Sequence, residues 1–198
     1  MRKRRWDVVL YEIAEDQAGY FTAAQARSSG LQQVRLVQLA QRGDIERVSR
    51  GVYRLARFPV SRLGSYMEAV LWPQVRRPDI VGVISHESAL AIHDLSDVSP
   101  ARIHVTLPTS VRLRRDVPKA FVIHFANLAP EEIERVKGVP VTTPARSIQD
   151  AHDSHLGRAT IAKAIADGRR SGALSARTAN RIERELLTSR STRSRRTR

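Results

Sequence analysis

The sequence predicts an α+β fold, on three observations. Apolar residues recur at helical spacing in three short segments before residue 43. Two β-prone runs, Ile45 to Ser49 and Val52 to Leu55, then flank Arg50-Gly51. Beyond residue 60, strands of strict apolar alternation are interspersed with further helical stripes. That mixture excludes an all-helical bundle and an all-β sandwich.

The first helix rests on Trp6, Val9, Leu10, Ile13 and Ala14, which fall on one face, while Asp7, Glu12, Glu15 and Asp16 point away; Gly19 ends it. Thr22-Ala-Ala-Gln25 has the spacing of a capping box, so a second, short helix begins near Ala23 and stops before Ser28-Ser29-Gly30. Gly30 supplies the left-handed backbone that a sharp turn between helices requires. A third helix is predicted from about Gln33 to Arg42, with Leu36, Leu39 and Ala40 inward and Leu31 anchoring the turn. The two β-prone runs that follow read as a hairpin closed at Arg50-Gly51. Helix, turn, helix and hairpin in this order is the plan of a winged helix-turn-helix, whose second helix of the pair enters the DNA major groove.

That plan names its own contact residues. Gln32, Gln33, Arg35, Gln38 and Arg42 lie on or beside the outward face of the third helix, and Thr22 opens the helix before it. Gln and Arg are the side chains that pair bidentately with adenine and guanine. Arg47, Arg50 and Arg54 on the hairpin are placed to meet phosphates or the minor groove. Arg4 and Arg5, in the Arg2–Arg5 cluster, are expected either to form an arm in the minor groove or only to raise non-specific affinity.

Pro59 starts a change in composition, and a linker is expected near residues 58–61. Leu63, Tyr66, Met67, Val70 and Leu71 make another helical stripe ending at Trp72-Pro73. Ile80 to Ile84 reads as a buried strand, and Ser85 as the cap of a helix through His93. Residues 102–107 and 121–125 alternate cleanly. Pro130 is expected to open a brief helix to about Val136, and Val139 to Thr142 to form another strand. Thr143-Pro144 marks a helix start, and helices are expected at about 157–167 and 175–187. The organisation expected is therefore 1–57 as a winged helix-turn-helix domain, 62–188 as a mixed α/β domain, and 189–198 as a basic, disordered tail.

Charge supports a polyanionic partner. The net charge is +14, with +5 in residues 1–57 and another +5 in residues 188–198, where five arginines meet no acid. No apolar run approaches the roughly 18 residues of a membrane span, and the arginine-rich start leads into no apolar signal segment, so a cytoplasmic protein with no membrane association is expected. The absence of cysteine removes disulfides and thiolate zinc sites.

The phrases GYFTAAQARSSGL, RGDIERVSRGVYRL, SHESALAIHDLSD and GVPVTTPARSIQDA, in this order, resemble the AbiEi-type antitoxins of type IV toxin–antitoxin systems over most of residues 5–155. The resemblance implies a winged helix joined to a C-terminal antitoxin domain. It further implies a transcriptional autorepressor that binds inverted repeats in its operator DNA as two protomers, and that counteracts a neighbouring nucleotidyltransferase-type toxin. It places Gln33, Arg35 and Gln38 in the groove and Arg47 and Arg50 on the wing. Gln32 stands where Ser or Thr is common, which leaves the third helix without its usual cap. An enzymatic route, phosphorylation of the toxin by a protein kinase-like antitoxin, is a further reading that the resemblance brings. The rival from another class is a protein-interaction module that binds no DNA.

The residues announce no catalytic chemistry. Neither a P-loop nor kinase phrases are present. His152 and His155, beside Asp150 and Asp153, make the most metal-like group, yet they sit at a helix end where polar residues gather. His86 with Glu87 reads as a helix start, and His93, His104 and His124 as scattered structural histidines. No catalytic residue, no metal and no cofactor is expected.

Overall fold

The computed structural model describes residues 6–75, 77–114 and 116–188. The expected arm residues Arg4 and Arg5, and the basic tail from residue 189, lie outside the described residues. The chain is mixed α+β, with two sheets and helices packed between and around them.

The N-terminal part contains α1 (Trp6–Ala14), β1 (Tyr20–Thr22), α2 (Ala23–Ser28), α3 (Gln33–Gln41), β2 (Ile45–Ser49) and β3 (Val52–Leu55). Leu10 and Ala14 of α1 bury themselves against Phe21, Leu31, Leu36, Leu39 and Ile45, the core of this part. The capping box forms as the sequence predicts: Gln25 N–H donates to Thr22 Oγ1 at 3.1 Å, and Thr22 N–H donates to Gln25 Oε1 at 2.7 Å. Strand β1 is not apparent from the sequence. It exists because β3 pairs with it, giving a sheet of order β1-β3-β2 in which Tyr20, Phe21 and Thr22 lie opposite Arg54, Tyr53 and Val52.

A second sheet has the order β6-β5-β4-β8-β7, formed by β4 (Val83–Ile84), β5 (Ile103–Leu107), β6 (Phe121–Phe125), β7 (Ile133–Val136) and β8 (Val139–Thr142). β5 with β6 and β4 with β8 run parallel, whereas β4 with β5 and β7 with β8 run antiparallel. The brief helix expected from Pro130 to Val136 needs correcting. Only Pro130–Glu132 turns, as a single 3-10 turn, and Ile133–Val136 is strand β7, because a partner at Val139–Thr142 satisfies its backbone. β4 likewise is two residues long rather than spanning Ile80 to Ile84.

Helix α4 (Gly64–Leu71) covers the face of this sheet that carries Val105, Leu107 and Phe121. On the other face lies α5 (His86–Ile92), backed by α6 (Pro144–Asp153), α7 (Arg158–Ser171) and α8 (Ala176–Glu183), which continues as a π-turn over Arg184–Thr188. Leu90, Ile148, Ile161, Ile165 and Ile182 fill the space among these helices.

The two parts share apolar packing. α4 touches β1 as well as β4, β5 and β8. Val52 of β3 is fully buried in the same cluster as α4 and the larger sheet, and Ala18 and Tyr20 pack against that cluster. At the tip of the β7–β8 hairpin, Gly138 has φ +86°, and a Cβ there would lie 2.4 Å from the backbone oxygen of Asp16. Only glycine fits that contact.

Candidate nucleic-acid interface

Helix α3 presents one bare side. Leu36 and Leu39 are buried, whereas Gln32, Gln33, Val34, Val37, Gln38, Gln41 and Arg42 are exposed and Arg35 is half-buried. Val34 is 67% exposed, an apolar side chain held in solvent on a helix that carries no acidic residue. Gln32 occupies the cap position with extended backbone and makes no side-chain cap bond. The amides at the start of α3 thus lack the partner that a Ser or Thr would provide.

Two hydrogen bonds run along this ridge. Arg35 Nη1 donates to Gln38 Oε1 at 3.0 Å, and Arg27 of α2 donates to Gln33 Oε1 at 3.4 Å. Beside α3, Arg47 and Arg50 are exposed on the β2–β3 hairpin. A register shift between Arg47 and Ser49 turns Val48 outward, 38% exposed. Bulges of this kind bend a strand and increase its twist.

Two expected contacts need correcting. Thr22 is fully buried, and its hydroxyl serves the α2 cap, so it positions the helix pair instead of facing outward. Arg54 turns inward: Nη2 lies 2.8 Å from Glu46 Oε2, and Nη1 donates to the Phe58 carbonyl at 3.0 Å. Its guanidinium neutralises the one acid of β2, which leaves the charge offered by the hairpin to Arg47 and Arg50. The remaining described candidates, Gln32, Gln33, Arg35, Gln38, Arg42, Arg47 and Arg50, fall on α3, its flanks and the adjoining hairpin.

The histidines are not scattered. His86, His104 and His124 each bring one ring nitrogen within 4.8 Å of the others. His104 and His124 meet because β5 and β6 are parallel and in register, with Thr106 opposite His124, so both rings stand on the face that α5 covers. Sequence spacing carries no signal of this. His93 is structural, as expected: Nε2 lies 2.8 Å from the Thr142 carbonyl. The polar residues at 150–155 make local bonds: Asp150 Oδ1 accepts from Arg146 at 2.7 Å, and His152 Nδ1 lies 3.1 Å from Asp153 Oδ1. Ser85 stands at the start of α5, but its side chain makes no cap bond.

Among the described residues, no helix is long and apolar enough to cross a membrane. No curated protein sequence matches the chain. Among solved structures, the RV2827C protein from Mycobacterium tuberculosis is similar in fold: TM-score 0.51 at 16% identity, covering 94% of this chain and 74% of that one. Residues 9–56, from α1 through the hairpin, match the family model described as transcriptional regulator, AbiEi antitoxin. For that segment, the resemblance read from the sequence is borne out: residues 9–56 are similar to the AbiEi antitoxin and transcriptional regulator family.

Proposed function

We propose that the chain is an antitoxin and transcriptional autorepressor. In this reading residues 1–57 form a winged helix-turn-helix, α3 enters the major groove of operator DNA, and the β2–β3 hairpin is the wing. The observation that carries it is the bare α3 ridge of Gln33, Val34, Arg35, Val37 and Gln38, flanked by Arg47 and Arg50 within the segment that matches the family. Glutamine and arginine read base edges, and valine methyls suit the thymine methyl. Hairpin arginines on either side of a phosphate track set the register of the helix without reading sequence.

Residues 62–188 are the antitoxin part, acting against a nucleotidyltransferase-type toxin encoded beside this gene, in the cytoplasm where its DNA lies. The arms at Arg4 and Arg5 and the five arginines of 190–198 add sequence-independent attraction. An inverted-repeat operator takes two protomers with α3 helices about one turn of duplex apart. Footprinting with the DNA upstream of the chain's own gene tests the reading. Two protected half-sites about 10 base pairs apart, centre to centre, are expected; absence of any retardation at moderate salt sinks it.

A further inference from the structure

We propose that His86, His104 and His124 form a transition-metal site, with Zn2+ as the ion it fits best. The three residues come from the first turn of α5, from β5 and from β6, so an ion there would staple the helix to two strands of the sheet.

The side chains around the three rings are arranged as the supporting shell of such a site. Glu87 Oε2 lies 2.8 Å from His104 Nε2, which puts the proton on that nitrogen and leaves Nδ1 with its lone pair facing inward. A carboxylate behind a ligating histidine is the common orienting device of zinc sites. His104 Nδ1 is 3.0 Å from His124 Nε2, and the His124 ring stacks on His86 with centroids 3.5 Å apart. Ser85 would ordinarily cap α5, but its hydroxyl accepts from Thr106 at 2.7 Å and meets His86 Nδ1 at 2.9 Å. That holds the His86 ring in place. His86 itself has φ +54°, a left-handed backbone that this helix start maintains.

Ligand chemistry narrows the ion. Nitrogen donors around Zn2+ at about 2.0–2.1 Å stand roughly 3.3 Å apart in a tetrahedron, so nitrogens within 4.8 Å reach a shared ion once the His124 ring turns out of its stack on His86. Three imidazoles with no thiolate in the chain favour Zn2+, Co2+ or Cu2+ over the hard ions Mg2+ and Ca2+. His104 and His124 are only half-buried, which leaves room for water as the fourth ligand. In the metal-free state the proton on His124 Nε2 points at His104 Nδ1; binding moves it to His124 Nδ1.

The test uses the full chain after treatment with a chelator. Titration with Co2+ alone is expected to give one ion per chain, the strong visible bands of a tetrahedral nitrogen site, and displacement by Zn2+. His124→Gln should weaken binding at least 100-fold, and Glu87→Gln by about 10- to 100-fold. The double substitution His152→Gln and His155→Gln should leave binding unchanged. Zn2+ should raise the melting temperature of the native chain, but not that of His124→Gln with an unaltered circular-dichroism spectrum. Weak octahedral Co2+ spectra, equal binding by His124→Gln, or loss of binding in the His152/His155 variant would each overturn the proposal.

Discussion

Arg35 Nη1 and Gln38 Oε1 are joined at 3.0 Å, one helical turn apart on the open side of α3. On the proposed reading, the bond orients the guanidinium before a duplex arrives, which lowers the ordering cost of recognition. Arg35→Ala should therefore remove discrimination at one base pair, about 1–3 kcal/mol, while affinity for scrambled DNA falls far less. Competition binding with operator and scrambled duplexes measures this. Equal losses on both would place Arg35 on phosphate alone.

Arginines on the hairpin and at both ends of the chain should make DNA affinity strongly dependent on salt. If about six phosphates are contacted, affinity should fall on the order of 10³-fold between 50 and 200 mM salt. Removing residues 190–198 should reduce the slope and weaken all duplexes alike. A change in sequence preference on that deletion would mean that the tail reads bases.

Arg146 ties two carboxylates together, at 2.7 Å to Asp150 and 2.8 Å to Glu132. Asp150 is buried, and its Oδ2 has no hydrogen-bond partner in the described structure. Arg146→Ala should cost about 2–4 kcal/mol, chiefly because Asp150 is left as an uncompensated buried charge; urea unfolding measures it. The Ala129 backbone N–H and then Arg146 hold the Glu132 carboxyl below its ordinary value. A lowered folded value means the unfolded chain takes up the proton first, so stability from Glu132 is present above the ordinary carboxylate range and is lost as pH falls through the folded value. Between about pH 5 and pH 3, Glu132→Gln should lose less stability than the native chain. Parallel pH profiles would remove Glu132 from the acid response. Asp150 has the opposite sign: burial raises it, with Arg146 working against the rise, so its contribution declines as pH increases through its folded value.

Gly138→Ala should destabilise the chain by roughly 1–3 kcal/mol from backbone strain alone, and by more if the hairpin must retreat from Asp16. Thermal melting of the variant checks this. An unchanged melting temperature would show that the contact between the hairpin tip and Asp16 is absent in solution.

Local chemistry made several elements legible. The Thr22–Gln25 spacing gave α2 its start, the Leu36 and Leu39 spacing gave α3 its buried side, and alternation at 103–107 and 121–125 gave two strands. Elements fixed by distant partners were not legible. Tyr20–Thr22 is a strand only because β3 lies beside it. Ile133–Val136 follows Pro-Glu-Glu, a good helix opening, and pairing with β8 overrides that preference. Similarly, the histidine triad arises from strand register and the approach of α5, neither of which sequence separation encodes. Arg54 looked like a surface arginine because Glu46, eight positions away, becomes its neighbour only across the hairpin.

Val52 sits on β3, paired with the strand β2 that packs against α3, yet its side chain is rooted among α4 and the larger sheet. The hairpin that flanks the bare α3 ridge is thus anchored in the opposite half of the molecule. Should a toxin gripping that half shift the anchor, DNA affinity changes, and thermodynamic reciprocity obliges DNA to alter toxin affinity by the same factor. On the proposed reading, toxin and operator would be linked through one continuous body.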